Sequence, residues 1–351
     1  MENQEKPHKR RVRYSGTHPK RFSEKYKEHQ PEKYADVVEK VIRKGSTPAG
    51  MHISICVKEI LDFLQIQPGQ QGLDATLGYG GHTLEMLKCL KGEGHIYGLD
   101  VDPIESEKTK ERLKKQGFGE DILTVKLLNF RNIDQVAEEA GKFDFVLADL
   151  GVSSMQIDNP DRGFSYKVDG PLDLRMNPQK GISAAQRLKE VTQEELYGML
   201  LENADEPYAE EISKAVIRQR RIRPIETTTD LKQVIEQALS FIPEKERKEA
   251  VKKSCQRSFQ ALRIDVNSEF EVLYDFLEKL PQVLAPNGRA AILTFHSGED
   301  RLVKKSFKQF YKEGIYSDIS KNVIRPSQEE CARNSRARST KMRWAIRAQE
   351  I

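Results

Sequence analysis

From residue 57 to residue 148, apolar positions recur with two periods in turn. Val57–Leu64 has helical spacing and stops before Pro68-Gly69. Gly72–Thr76 is a short apolar run that reads as a strand, and Gly80–Leu90 reads as a helix entered through a glycine turn. His95–Leu99, Ile122–Leu128 and Phe143–Ala148 are further strand-like runs. Between them, Pro103–Lys115 and Ile133–Ala140 carry amphipathic helical spacing. Strands and helices in alternation predict an α/β fold, a parallel sheet covered by helices on both faces.

The alternation lapses between Pro160 and Arg257. Ser183–Lys189, Gln193–Leu201, Tyr208–Gln219 and Thr229–Leu239 read as helices there, without a convincing strand. Asn267–Leu284 then reads as one long helix, and Arg289–Phe295 as a strand after a Pro286-Asn287-Gly288 turn. The expected organisation is an α/β domain, residues 51–159 and 258–351, interrupted by an all-helical insertion at 160–257. Residues 1–50 form a basic N-terminal extension, with one helix over Pro31–Lys44 and a linker at Gly45–Gly50.

Composition narrows the class. The 351 residues are enough for about two domains. No apolar run approaches the roughly 20 residues of a membrane-spanning helix, so no membrane partner is expected. The first residues, Met-Glu-Asn-Gln-Glu-Lys, lack the apolar core of a secretory signal, and a cytoplasmic location is expected. Cys56, Cys89, Cys255 and Cys331 form no C-x-x-C pair, which argues against a disulfide framework or a metal site. The net charge of +4 is uneven: residues 1–51 carry +6 and residues 301–351 carry +8, leaving −10 on the middle. Basic ends on an acidic body point to a polyanionic partner.

The chemistry starts at the first strand. Leu73-Asp74-Ala75-Thr76 runs into Leu77-Gly78-Tyr79-Gly80-Gly81-His82, where glycines let the backbone approach a ligand closely. The loop is neither G-x-G-x-x-G nor a P-loop, which weakens both nucleotide-phosphate readings. It fits S-adenosylmethionine: an acidic residue near the first strand, a short glycine loop, then an acid closing the second strand. Asp100 stands 22 residues after Gly78, close to the roughly 20 expected of a ribose-binding carboxylate. Asp102, before Pro103, reads as a helix cap.

Further blocks carry more specificity. They are Asp149-Leu150-Gly151-Val152-Ser153-Ser154-Met155-Gln156, Arg162-Gly163-Phe164-Ser165-Tyr166, the run from Ser258 to Glu269, Phe295-His296-Ser297-Gly298-Glu299-Asp300-Arg301, and Asn334-Ser335-Arg336-Ala337-Arg338-Ser339. In this order they resemble the small-subunit ribosomal RNA (cytosine-N4)-methyltransferase H family, from about His52 to Arg347. The resemblance implies a class I, Rossmann-like methyltransferase sheet with a helical RNA-recognition insertion. It implies S-adenosylmethionine as cofactor and N4 of a cytidine near the decoding centre of 16S ribosomal RNA as target.

Carried over by motif, the cofactor contacts are Gly80, Gly81, His82, Asp100, Phe130, Asp149 and Gln156. Asp149 is also the candidate catalytic acceptor. On the RNA side stand Ser153, Ser154, Arg162 and His296, with His52 as a further candidate. The chain departs from the family's usual pattern at Met155 (Pro), at Gly298 (Leu) and at Asn203-Ala204-Asp205-Glu206 (Tyr-Gly-Glu-Glu). These departures lie toward the substrate and keep two alternatives open: a paralogue acting on another RNA cytidine, and a non-catalytic ribosome-assembly factor.

Two basic stretches complete the expectation. Lys214, Arg218, Arg220, Arg221 and Arg223 crowd the insertion, with Arg218 and Arg221 the foremost phosphate contacts. Arg333, Arg336, Arg338, Lys341, Arg343 and Arg347 surround Trp344, which is expected to be packed. The expected partner is small-subunit ribosomal RNA or the 30S subunit; a homodimer is left open.

Overall fold

The computed structural model describes residues 54–349. The expected Pro31–Lys44 helix, the linker, the rest of the basic extension and His52 lie outside the described residues.

Five parallel strands form the centre: β1 (Gln71–Asp74), β2 (His95–Asp100), β3 (Leu123–Leu127), β4 (Phe143–Asp149) and β5 (Leu284–Thr294). Two more, β6 (Tyr316–Ile319) and β7 (Lys341–Arg347), add antiparallel at the β5 edge. The order is β3-β2-β1-β4-β5-β7-β6, as expected of the Rossmann-like sheet that the resemblance implies. Order reverses between β1 and β4, where an open α/β sheet leaves its ligand crevice.

Alternate residues feed opposite faces, as the strand period requires. Val146 and Ala148 join one core with α4 (Ile133–Ala140), α11 (Glu269–Val283) and α12 (Ser297–Lys312). Phe145 and Leu147 join the other with α1 (Val57–Leu64), α2 (Gly81–Leu90) and α3 (Pro103–Lys115). With both faces covered, β4 and β5 bury apolar side chains on both sides, which is why they were visible as runs.

Between β4 and β5, after the short helix α5 (Ser154–Asp158), come α6 (Ala184–Glu190), α7 (Gln193–Ala204), α8 (Ala209–Ile222), α9 (Thr228–Ala238) and α10 (Glu244–Asn267). They share a core of their own around Leu188, Leu200, Ile212, Ile235 and Phe259. Ser183, Thr192 and Thr227 start α6, α7 and α9 with reciprocal capping boxes.

The long helix expected over Asn267–Leu284 is present as α11, Glu269–Val283, set off from α10 by Ser268 with φ 48°. One expectation needs correction: α10 runs unbroken through the expected boundary at 257/258. Its first half, Glu244–Lys253, is nearly all charged and shows no apolar stripe. β7 was missed as well, because its alternate arginines masked the period of two. Among the described residues no helix is long and apolar enough to cross a membrane.

Gly72 lies opposite Phe145 in the β1–β4 register, and a Cβ there would sit 1.9 Å from the Phe145 ring. We expect Gly72→Ala to cost about 1–3 kcal/mol through overpacking. Urea denaturation checks it: an unchanged midpoint rejects the account, and Phe145→Leu in the same chain should recover part of the loss.

Candidate active site

The carboxyl ends of β1, β2 and β4 open into a cavity of about 370 Å³, within the usual range for small-molecule sites. One wall is the glycine turn Gly78–His82 with Asp100, Phe130, Asp149 and Gln156. The opposite wall comes from α10, α11 and the start of α12, through Gln260, Arg263, Asn267, Glu269 and His296.

Backbone conformation explains the turn. Gly78 and Gly80 have φ of 48° and 76°, in the region that favours glycine. A Cβ on Gly80 would lie 2.7 Å from Thr109 Cγ2, and one on Gly81 would lie 2.0 Å from Ser54 Oγ. Asp100 fixes the turn from β2: Gly78 N–H donates to its Oδ2 (2.9 Å) and Asp102 N–H to its Oδ1 (2.8 Å). Each carboxylate oxygen therefore keeps acceptor capacity for a further donor. Burial pushes the Asp100 carboxyl up to about 6, and neighbouring Asp102 adds to the shift against the backbone donors.

Asp149, closing β4, donates its N–H to Thr76 Oγ1 (2.6 Å). Its Oδ1 is buried without a hydrogen-bond partner, and its Oδ2 lies 3.6 Å from His82 Nδ1. The other ring nitrogen, Nε2, is 2.8 Å from the Ile55 carbonyl. A carbonyl only accepts, so Nε2 donates to it and the ring turns Nδ1 toward the carboxylate. Burial raises the Asp149 carboxyl to about 6; His82 opposes the rise, while Asp74 and Glu299 reinforce it.

The remaining residues divide by what already occupies them. Phe130 follows β3 and meets Phe276 edge to face at 5.2 Å. Gln156 accepts from Ser153 N–H (2.9 Å) and donates to Asp102 Oδ2 (3.0 Å), closing the capping box of α5. The side chain of Ser154 lies outside what the structure describes. His296 caps α12, with Nε2 3.2 Å from Glu299 Oε1.

Arg162 corrects the expectation of an RNA contact. It is 9% exposed, donates to Asp102 Oδ2 at 2.7 Å, and also donates to the carbonyls of Arg175 and Met176. Asp102 is the expected cap, accepting from Ile104 and Glu105 N–H. The same correction reaches most of the two basic stretches. Arg220 donates to the Leu188 and Val191 carbonyls, while Lys214 and Arg223 pair with Glu210 and Asp230. Arg343 and Lys341 share Asp300, Arg336 holds Asp158, and Trp344 stacks on Phe63 at 4.8 Å. Arg218 and Arg221 stay exposed.

Sequence reasoning assigned no role to Arg263, Asn267, Glu269 or Glu299. Arg263 grips Glu269 with two bonds of 2.7 and 2.9 Å. Asn267 accepts from Met176 N–H (2.8 Å) and donates to the Leu174 carbonyl (2.8 Å), tying the insertion's lead-in to α10. Glu269, His296 and Glu299 bring ligand-type atoms within 4.8 Å of one another, but the Arg263 guanidinium already supplies positive charge there. The signal that could have found them is a row of polar residues one turn apart on an otherwise apolar helix face.

The model of the MraW methylase family matches residues 49–348. The chain belongs to that family. It is 74% identical over 348 residues to ribosomal RNA small subunit methyltransferase H 1 of Lachnoclostridium phytofermentans, covering 99% of this chain and 95% of the relative. The protein of the same name in Agathobacter rectalis is 69% identical, covering 99% and 100%. A solved rRNA methylase from Streptococcus thermophilus superposes with a TM-score of 0.40 at 12% identity, covering 85% of this chain and all of that one. The chain is thus a methyltransferase that uses S-adenosylmethionine. The residues present suit that group: a cradle that only glycine leaves open, and an orphaned buried carboxylate oxygen for a cationic ligand.

Asp102 and Arg162 are both buried, so removing one strands the other's charge. Arg162→Met should cost about 3–5 kcal/mol. Asp102→Asn in the same chain should lose clearly less than the sum of the two single losses; additive losses in chemical denaturation would show the pair is uncoupled.

Proposed function

We propose that this methyltransferase transfers a methyl group to the exocyclic N4 of a cytidine in 16S ribosomal RNA, near the decoding centre. The observation that carries the reading is one cavity with two half-buried carboxylates, Asp100 and Asp149, beside the glycine turn, lined also by polar groups of α10 and α11. The names of the relatives supply small-subunit ribosomal RNA as substrate class. The helical block from about residue 160 through α10 is the proposed RNA-recognition part, with Arg218 and Arg221 as exposed phosphate contacts. The reaction is proposed to take place in the cytoplasm.

When bound, S-adenosylmethionine supplies a methyl group already activated on a sulfonium. In this reading Asp100 accepts hydrogen bonds from the ribose hydroxyls through the acceptor capacity it retains. Phe130 walls the adenine, and the Gly80-Gly81-His82 backbone lies against the rest of the cofactor. What remains for the protein is to align N4 and manage its proton, because the cytosine amino lone pair is delocalised into the ring. Asp149 Oδ1 accepts an N4 proton, localising that lone pair and taking up developing positive charge. His82 Nδ1, facing Oδ2, lets the pair share the proton. A second reading follows from the Asp149 bond to Thr76 beside the glycine turn: the carboxylate holds the methionine ammonium instead.

Asp100→Ala should weaken S-adenosylmethionine binding by roughly 10–150-fold, the loss of about 1.5–3 kcal/mol of charge-assisted bonding. Because the Asp100 carboxyl sits at about 6, above its ordinary 3.8, the ionised acceptor is lost as pH falls through that value. Wild-type affinity should then drop with decreasing pH, by up to about tenfold per unit from this group. Calorimetry giving unchanged affinity in a folded Asp100→Ala chain rejects the ribose assignment.

Asp149→Asn keeps an oxygen acceptor but loses the charge. We expect kcat on 16S ribosomal RNA to fall by about 100-fold or more, in the range of general-base catalysis, with S-adenosylmethionine affinity intact. The wild-type rate should rise through pH about 6, and the variant's should not. A loss of cofactor affinity large enough to explain the rate selects the ammonium-binding reading.

A further inference from the structure

α12 carries a stripe of charge that the sequence-based reading of the basic stretches passed over. Arg301, Lys304, Lys305, Lys308 and Lys312 are all exposed, and their spacing of three and four residues places them on one helical face. The opposite face packs Val303, Phe307 and Phe310 into the core. No acidic residue occurs between Arg301 and Lys312. Among the described residues none of the five has an acidic partner. The flanking acids are taken: Asp300 by Lys341 and Arg343, and Glu313 by Gln309.

This row contrasts with Arg220, Arg336 and Arg343, which are spent on carbonyls and partly buried carboxylates, and with Lys214 and Arg223, which pair with acids at the surface. Like charges one turn apart destabilise a helix, so the stripe works against α12 itself. It also stands out on a body whose residues 52–300 carry net −10, which repels a polyanion elsewhere. Solubility alone would be served by scattered charges. The helix begins at His296, which lines the cavity, and Arg301–Lys312 extends about 16 Å from there at the helical rise.

We propose that this face of α12 is a docking surface for the phosphate backbone of the substrate RNA, leading away from the mouth of the cavity. It rests on the reading of the substrate as ribosomal RNA and adds where the strand runs. Five flexible ammonium or guanidinium heads in a row neutralise successive phosphates without reading bases, so they supply affinity and register and the cavity supplies choice of nucleotide.

The test uses the full chain carrying Lys304→Gln, Lys308→Gln and Lys312→Gln. A control chain carries Lys88→Gln, Lys91→Gln and Lys115→Gln, three exposed lysines outside both α12 and the helical block. The probe is 16S ribosomal RNA transcribed in vitro, titrated over a range of salt concentrations. The α12 variant should bind roughly tenfold or more weakly, with a log–log salt slope shallower by about 2–3, one counterion per lost contact. The control should keep the wild-type slope, and both chains should bind S-adenosylmethionine normally.

An α12 variant with the wild-type slope overturns the stripe alone, and so does an equal change in the control, which would make net charge the cause. A wild-type chain that does not bind this RNA overturns the substrate reading and the stripe together. Retention on phosphatidylglycerol vesicles that the α12 variant loses, with its RNA slope unchanged, assigns the stripe to a membrane surface and overturns the RNA proposal.

Discussion

The Asp102 carboxylate, fully buried beyond the end of β2, is the constraint on which the cleft depends. It caps α3 through two backbone donors, receives Gln156 from the loop after β4, and neutralises Arg162 at the entrance to the insertion. Arg162 in turn holds the carbonyls of Arg175 and Met176, on the segment that Asn267 ties to α10. One buried charge thus connects the cofactor side of the sheet to the helical block. Asp100, two residues earlier, shows what the same residue type does without such a partner. Its burial, with Asp102 beside it as a like charge, raises its carboxyl, and the backbone donors it meets offset the rise only in part. An acid with a guanidinium partner becomes structure; its unpartnered neighbour stays available to a ligand.

The sheet was legible because both of its faces are covered. Strands such as Phe143–Asp149 then carry an unbroken apolar run, Phe145–Ala148, that feeds both faces, and glycine turns separate them from amphipathic helices. The glycine cradle and Asp100 were legible because they are local: the turn and the strand-ending acid lie within 23 residues of one another. β7 was not, since Arg343 and Arg347 serve the protein interior while looking like surface charge. α10 was hidden for the opposite reason, as its charged first half belongs to a helix whose apolar contacts begin near Ser254. Arg162 was misread because its partner, Asp102, is 60 residues away. Pairings over such distances leave no trace in spacing.

Charge in this chain therefore has two fates that composition does not separate. Lys341 and Arg343 on Asp300, and Arg336 on Asp158, bind elements of the fold together. A partly buried cation with a carboxylate partner has exchanged its water for that partner, so offering it to a phosphate would strand the acid. The exposed cations of α12 have made no such exchange. Their strength toward a polyanion comes from released counterions, and it falls as salt rises.

The same accounting gives the cavity its sign. Asp100, Asp149, Glu269 and Glu299 line it, and Arg263 and His82 answer them only in part. Burial and mutual repulsion push Asp149 upward, so the site favours positive charge. In the proposed reaction positive charge does not vanish at the transfer step; it moves from sulfur to N4. A carboxylate placed at N4 therefore keeps its electrostatic match through the transition state, and the charge disappears only when Asp149 and His82 take the proton. This pair contributes most when it meets the acceptor nitrogen and not the sulfonium. Acids nearer the cofactor then hold the reactant without stabilising it against reaction.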